Sequence, residues 1–290
     1  KIFWRFFIIF FIGILLNTFP FILQNWDWSS IRIMGVLQRI AISYLMASLF
    51  VLLFKEKNLI YLSSFILLFY WFALLLFGGK NPYSLETNLV RILDIAILGE
   101  DHLYMGTGIP FDPEGLFSSL PASVTVIIGF LIGSIIQIED NKKDVLSKLI
   151  ILGILGILSG LAWGLIFPIN KHIWTSSYVL YSSGIAILFF ALFYCIINIM
   201  NLHKLVWPLV VFGTNSIFVY SASILWSKVL LFTTFDYKGT TTSGYNYLYE
   251  TVFIPLGGNM NGSLIFALSH VLGFWLLLFY MQKKKLHIKI

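Results

Sequence analysis

Long apolar runs constrain this chain more than any other feature of its sequence. Each run is about 20 residues long, the length that an α-helix needs to cross about 30 Å of hydrocarbon. They lie near residues 2–19, 36–54, 59–78, 120–138, 149–167, 177–198, 206–231 and 263–281. Helices are favoured over strands because the runs are continuous, and a helix satisfies its own backbone hydrogen bonds in lipid. Of the 290 residues, 59% are hydrophobic and 11% charged, unlike a soluble domain. The sequence predicts an all-α, polytopic transmembrane bundle of about eight helices.

The basic residues predict the orientation of this bundle. If residue 1 is cytoplasmic, most of them fall on the cytoplasmic side, as the positive-inside rule requires. The basic residues placed on the cytoplasmic side are Lys1, Arg5, Lys55, Lys57, Lys142, Lys143, Lys148, Lys204, Lys283, Lys284, Lys285 and Lys289. An even number of helices then leaves both chain ends in the cytoplasm. The net charge of +6 reflects topology and contact with a lipid bilayer, so no nucleic-acid partner is predicted.

The longest connections, 20–35, 79–119 and 232–262, fall on the opposite side, where we expect the working surface. Two polar stretches, 111–121 and 167–178, each adjoin an apolar run. Polar groups at such places are expensive in lipid and are typical of functional sites. We therefore predict a shared site at the outer face of the bundle.

The segments 32–41, 111–121, 167–178 and 212–217 read RIMGVLQRIA, FDPEGLFSSLP, FPINKHIWTSSY and FGTNSI. With these four motifs in this order, the chain resembles the heparan-α-glucosaminide N-acetyltransferase family and its bacterial relatives. The resemblance covers the chain to about residue 225. It implies a membrane acetyltransferase that moves acetyl from cytosolic acetyl-CoA to an amino sugar or related glycan on the opposite side. It also implies a multi-pass protein of the bacterial inner (cytoplasmic) membrane.

The chain departs from this family at its beginning. Family members carry about two or three helices before the point that matches Lys1, and their proposed catalytic histidine, with a nearby asparagine, lies in the loop after the first helix. We therefore expect residues 1–290 to form a single transmembrane acyltransferase-like domain that lacks its first two or three helices. Alone, this chain is expected to be inactive, and its own catalytic residues stay unknown.

Gln38 and Arg39 lie in the first turn of an otherwise apolar helix. An intramembrane arginine is expected to find a partner inside the bundle, and Arg32 adds a second cation. Together the three side chains are candidates to bind a sugar hydroxyl, sulfate or carboxylate. The alternative is that Arg39 reaches the outer lipid headgroups.

Asp112 and Glu114 flank Pro113, which favours an extended or turn backbone before the next helix. Acetyl transfer to an ammonium group needs a base and an anionic group that attracts it. Glu114 is the better candidate base and Asp112 the better orienting group. Stabilisation of the helix N-terminus explains both carboxylates equally well.

The second stretch carries the candidate substrate-binding residues Asn170, Lys171, Trp174, Thr175 and Ser176. Thr175 or Ser176 is expected to cap the following helix. Capping does not explain the others, so we predict that Trp174 stacks on a sugar and that Asn170 is a candidate catalytic donor to a developing oxyanion. We predict that these residues and the two carboxylates surround one cavity.

Asn215, near the helix-breaking Gly213, is either a further substrate-binding residue or a hydrogen-bonding contact between helices. The histidines show no metal-ligand spacing, so no metal is predicted. Acetyl-CoA is expected as co-substrate on the resemblance alone, because the sequence has no phosphate-binding loop motif. Lys55, Lys57, Lys142 and Lys143 are available for its phosphates.

Two other functions stay open from the sequence. An amino-sugar permease would use the same polar cluster and alternate access across the membrane. A structural membrane component is disfavoured by the many polar residues at helix ends. A homo-oligomer is compatible with either function.

Overall fold

The computed structural model describes residues 1–20 and 28–288, and these residues are mainly helical, which confirms the predicted all-α class. The α-helices are α1 (Ile2–Thr18), α2 (Val36–Leu53), α3 (Glu56–Phe77), α4 (Leu89–Leu98), α5 (Ser119–Ile138), α6 (Lys142–Gly164), α7 (Ser176–Tyr194), α8 (His203–Gly213), α9 (Ser216–Phe232), α10 (Gly244–Leu248) and α11 (Ile254–Lys283). Strands β1 (Thr234–Tyr237) and β2 (Thr240–Ser243) form an antiparallel hairpin between α9 and α10. Single π-helical turns follow α7 and α10.

Six helices of the described chain are long and apolar enough to cross a membrane, namely α2, α3, α5, α6, α7 and α11. Helix α1 is apolar but has only 17 residues. Helices α8 and α9 are bent by 62° relative to each other, which is the geometry of either a broken span or a re-entrant loop, so the described helices provide six spans, or seven if this pair forms one. The predicted apolar segments therefore all lie on helices, whereas the short helices α4 and α10 were not predicted.

The expectation of one continuous helix over 206–231 is wrong. Helix α8 ends at Gly213, and Asn215 leaves helical geometry with φ −137° and ψ 44°. Glycine has the lowest helix propensity after proline, and α8 already contains Pro208. Asn215 is thus the residue before α9 and does not lie in mid-helix.

The described residues divide into two compact units. The first contains residues 1–18 and 28–202, and the second contains residues 19–20 and 203–288. Helices α1 to α7 belong to the first unit, and α8 to α11 with the hairpin belong to the second. The single-domain assignment stays a prediction.

Helices α6 and α7 of the first unit pack closely through small residues. A Cβ on Gly160 would collide with the backbone of Tyr181, and one on Gly156 would collide with Gly184. Small residues let two helix backbones approach where no hydrophobic effect drives association, as within a bilayer. This contact fixes the start of α7, and with it the loop before α7.

The connections between α3 and α5 and between α6 and α7 share an apolar core. Its fully buried members include Tyr70, Val90, Phe111, Phe167 and Ile173. Asn88 caps α4 by accepting a hydrogen bond from the backbone of the first turn. Both polar stretches singled out from the sequence therefore begin on the same packed layer.

The second unit is organised around α11, which contains one break. Gly258 has φ 70°, a left-handed conformation that glycine adopts without steric cost. The side chain of Phe266, on the same helix, contacts the rings of Tyr245, Tyr249 and Phe253. These contacts hold α10 and the turn after it against α11.

Candidate functional site

Arg32 joins the two carboxylates of the segment 111–121 in one ion-pair cluster. Its Nε and Nη2 donate to the two carboxylate oxygens of Asp112 at 2.8 and 2.7 Å, and Nη2 also donates to Oε2 of Glu114 at 2.7 Å. The guanidinium lies 4.5 Å from the centre of the Tyr104 ring. Burial alone lowers the pKa of Arg32, but the hydrogen bonds and charges of Asp112 and Glu114 outweigh it and raise that pKa above its ordinary value.

The two carboxylates differ in exposure. Asp112 is fully buried, whereas the side chain of Glu114 is 21% exposed. Oδ1 of Asp112 also accepts the backbone N–H of Glu114 at 3.0 Å, which closes the turn around Pro113. Only Glu114 therefore presents part of its carboxylate to a ligand from solvent. The base and orienting roles stay predictions.

Arg39 reaches from the first turn of α2 to both polar stretches. Its Nη2 donates to Oγ of Ser118 at 2.6 Å, and its guanidinium lies 4.1 Å from the centre of the Trp174 ring. Arg39 is only 6% exposed, so it does not extend to lipid headgroups. Within the described parts of the chain, no carboxylate lies at ion-pair distance from Arg39, and its Nε has no acceptor.

Trp174 completes this arrangement. Its backbone is left-handed, with φ 50°, and its ring packs edge-on against Tyr178 at 4.9 Å. The indole Nε1–H is buried and has no acceptor among the described residues. A buried donor without an acceptor costs free energy. Nε of Arg39 and Nε1 of Trp174 are two such donors on stacked side chains, and together they indicate a place for an oxygen acceptor.

The rest of the segment 167–178 uses its polar groups within the loop. Thr175 is the N-cap of α7, as predicted, and accepts from the backbone N–H of Tyr178. Ser176 donates to the carbonyl of Leu67 in α3 at 2.7 Å. Oδ1 of Asn170 accepts the backbone N–H of His172 at 2.8 Å. These bonds hold the loop in the shape that presents Trp174.

The structure brings only part of the predicted site together. The stretch 111–121 contacts Arg39 through Ser118, and the stretch 167–178 contacts it through Trp174. Lys171 is exposed, and the described contacts of Asn170 are local. The prediction that Asn170 and Lys171 share a cavity with Asp112 and Glu114 stays a prediction.

Two other predicted residues lie in different surroundings. Gln38 packs against α1, where a Cβ on Gly13 would collide with its amide, and its Nε2 is buried without an acceptor in the described chain. Asn215 belongs to the second unit, where its side chain donates to the carbonyl of Leu286 and accepts from the backbone of Ile288. Asn215 therefore holds the segment after α11 against the start of α9, which is a structural role.

Asp94 is a site residue that sequence reasoning missed. It is fully buried in α4, and its Oδ1 accepts the backbone N–H groups of Leu116 at 2.9 Å and Phe117 at 3.4 Å. Burial raises the pKa of Asp94 to about 7, although these two hydrogen bonds lower it. The signal was a single acid within an otherwise apolar stretch, since the residues around it from 92 to 98 read ILDIAIL.

A groove of about 750 Å³ lies between α3, α5, α6 and α7. Its charged lining residues, Glu56, Lys57, Glu139 and Lys148, lie at or near the predicted cytoplasmic ends of these helices. The rest of the lining is mostly apolar and extends to Leu180 on α7. Leu180 belongs to the apolar cluster that also contains Trp174, so the lining of the groove reaches the packing around the Arg39 site.

Residues 1–20 and 28–288 contain no group of three or more His, Cys, Asp or Glu side chains placed to hold a metal ion. This region offers hydrogen-bond donors, carboxylates and aromatic rings.

Comparison with known proteins adds two distant relatives. No family model matches the chain. The curated proteins named heparan-alpha-glucosaminide N-acetyltransferase from Homo sapiens and from Mus musculus are each 26% identical to it over 76% of its length. The chain spans about two fifths of those relatives, since the matched region covers 41% of each.

Proposed function

Because the chain is a distant member of the heparan-alpha-glucosaminide N-acetyltransferase family, we propose that it forms the acetyl-transfer part of a membrane N-acetyltransferase. The donor is acetyl-CoA from the cytosol. The acceptor is an amino sugar or related glycan on the opposite side of a bacterial inner membrane. The activity that gives the relatives their name, together with the hydrogen-bond donors and carboxylates of the candidate site, supports this proposal.

One observation carries the proposal. Arg39 is buried with no carboxylate at ion-pair distance among the described residues, and both its Nε and the adjacent Nε1 of Trp174 lack acceptors. A purely structural arginine would be paired, because burying an unpaired cation costs several kcal/mol. The unpaired Nε of Arg39 and Nε1 of Trp174 support a ligand that brings an oxygen acceptor.

In acetyl transfer, that acceptor is the carbonyl oxygen of the thioester. The amine nitrogen attacks the carbonyl carbon, and the carbonyl oxygen gains negative charge. The C–S bond then breaks as the carbonyl re-forms, the nitrogen loses a proton, and the departing CoA thiolate takes up a proton. Arg39 and Trp174 would donate to the oxygen while it is charged, in a buried place where such bonds are strong. Arg39 also contributes a full positive charge.

The carboxylates of Asp112 and Glu114 suit the other reactant. An amino sugar arrives mainly as an ammonium ion, which a site with two carboxylates and partial exposure attracts. The ammonium must lose one proton before its nitrogen can attack, and Glu114 is the more accessible of the two candidate bases. Arg32 would keep both carboxylates oriented during this step.

The groove between α3, α5, α6 and α7 is a candidate route for the thioester arm. Lys57 and Lys148 near its mouth are cations suited to phosphate groups, and Ser134, Ser159 and Ser183 along its lining offer hydroxyls to amides. Lys148 is already paired with Glu139, so Lys57 is the freer of the two.

The proposed direction of transfer requires that Lys142 and Lys171 lie on opposite sides of the membrane. We expect position 142 in the cytoplasm and position 171 outside. Cysteine substitutions at these positions in a Cys195→Ser background, labelled in intact cells with an impermeant thiol reagent, test it. Labelling of position 142 from outside would contradict the orientation.

The activity is tested with the complete protein, including any upstream helices, in detergent. Free CoA thiol is measured with acetyl-CoA as donor and glucosamine as acceptor. Arg39→Gln and Trp174→Phe remove one proposed donor each, and loss of an oxyanion donor costs about 10²–10³-fold in kcat. Arg5→Gln and Trp4→Phe, at exposed positions of α1, are matched controls that should leave kcat unchanged.

Equal rates for Arg39→Gln and the wild type would contradict the proposal. Sugar uptake into proteoliposomes without consumption of acetyl-CoA would instead support the permease.

A further inference from the structure

Asp94 is a buried carboxylate that the proposed chemistry does not use. One of its oxygens accepts the backbone N–H groups of Leu116 and Phe117. The other, Oδ2, is buried and has no hydrogen-bond partner among the described residues. An unpaired carboxylate oxygen in a buried place costs stability and calls for an explanation.

Gly115 shows how tightly this carboxylate packs against the turn before α5. A Cβ on Gly115 would collide with Oδ2 of Asp94. The backbone of Gly115 is outside the left-handed region, so its conformation alone does not require glycine. The contact with Asp94 is therefore what excludes a side chain at this position.

The turn held in this way connects the two halves of the candidate site. Asp112 and Glu114, which bind Arg32, lie just before Gly115, and Ser118, which binds Arg39, lies just after it. Ser118 also donates to the carbonyl of Gly115 at 3.0 Å. A displacement of the turn would consequently move the carboxylates and the Arg39 contact together.

Charges around Asp94 link it to the same site. The charge of Asp112 disfavours the ionised form of Asp94, and the charge of Arg39 favours it. Tyr70 on α3 also interacts electrostatically with Asp94. Burial disfavours the charged guanidinium of Arg39, and the charges of Glu114, Asp112 and Asp94 offset part of this penalty. When it is ionised, Asp94 thus adds to the negative charge that Asp112 and Glu114 place around Arg39.

We propose that Asp94 is a positioning residue of the acetyl-transfer site, because its carboxylate fixes the turn at 115–117 and through it sets Asp112, Glu114 and Ser118 against the two arginines. This inference rests on the proposed function. An apolar residue would fill the same space without an unpaired oxygen. A carboxylate at this position, in spite of its cost, indicates that Asp94 orients the turn at the expense of some folding stability.

A double-mutant cycle tests this role in the complete protein. Asp94→Ala and Gly115→Ala should each lower kcat for acetyl transfer about 100-fold, the effect of a displacement of about 1 Å at a site. The double variant should be no slower than Asp94→Ala, because the collision at Gly115 needs the carboxylate. Asp94→Asn keeps one acceptor oxygen and should recover part of the rate. The KM for acetyl-CoA should stay within about twofold throughout.

Controls and contrary outcomes separate this role from simple folding. Gly129→Ala, with open space around it on α5, and Asp101→Asn, at an exposed position, should leave both kcat and Tm unchanged. Additive losses in the cycle, or full rates in all variants, would overturn the proposal.

The same cycle measured by Tm does not depend on activity. Coupled Tm values in a protein whose wild type transfers no acetyl would support the contact but overturn the proposed function, and the positioning role with it. Uncoupled Tm values would show that Asp94 does not hold the turn, whatever the activity.

Discussion

Replacing Arg32 with alanine should destabilise the first unit more than any other single ion-pair change in the described chain. Arg32 makes three charge-assisted hydrogen bonds of 2.7–2.8 Å to Asp112 and Glu114, and the side chain of Asp112 is fully buried. Removing one partner of a buried pair costs about 3–5 kcal/mol, because the other charge is left uncompensated. The side chain of Arg32 is 26% exposed, so solvent reduces this to about 2–3 kcal/mol.

Thermal unfolding in detergent measures this loss. The double variant Arg32→Ala with Asp112→Ala should be more stable than Arg32→Ala alone, because the buried charge is gone. Glu100→Gln is the matched control, since Glu100 is exposed and lies 3.5 Å from Arg91, and loss of this ion pair should cost less than about 1 kcal/mol. If Arg32→Ala loses no more stability in thermal unfolding than the control does, the proposed contribution of the Arg32 ion pairs is contradicted.

Three further changes have defined outcomes. Tyr70→Phe removes a buried hydrogen bond to the carbonyl of Ile173 and should lower stability by about 1–2 kcal/mol, measured by thermal unfolding. Gly160→Ala should separate α6 from α7 and lower Tm, whereas Gly129→Ala, with open space around it, should not. Burial raises the pKa of Asp94 to about 7, above about 3.9 in the unfolded chain, so the native state holds a proton that the unfolded state loses. The free energy of unfolding of the wild type should therefore fall by about 3 kcal/mol, relative to that of Asp94→Asn, as the pH rises from about 5 to about 8. Parallel plots of this free energy against pH for the two proteins would contradict the raised pKa.

The membrane fold could be predicted from the sequence because hydrophobic length is a local property. The predicted apolar segments lie on helices, with 206–231 divided between α8 and α9, and of the two predicted caps, Thr175 and Ser176, the structure uses Thr175. The break between α8 and α9 was harder to predict. Gly213 weakens a helix without determining whether neighbouring contacts will keep it continuous.

The candidate site was predicted only in part, because its geometry depends on long-range contacts. The sequence indicated that Arg32, Asp112 and Glu114 belong to a polar site, but their mutual ion pairs join positions 80 and 82 residues apart. The stacking of Arg39 on Trp174 likewise joins distant segments. Composition and spacing carry no information on such pairings.

Asp94 illustrates the same limit in another way. As a single acid in an otherwise apolar stretch, it reads equally well as an exposed residue at a membrane surface. Only the packing of the turn at Gly115 reveals that its carboxylate is buried. The helix that carries it is too short to be recognised by hydropathy alone.

The most direct test of the account follows the acetyl group itself. The complete protein is incubated with isotopically labelled acetyl-CoA and an amino sugar, and the sugar is analysed by mass spectrometry. We expect the labelled acetyl group on the amino nitrogen with the wild-type protein, and a reduction of this product by about 100-fold or more with Arg39→Gln. Release of the CoA thiol with an unmodified sugar, or an equal yield of product from Arg39→Gln, would contradict it.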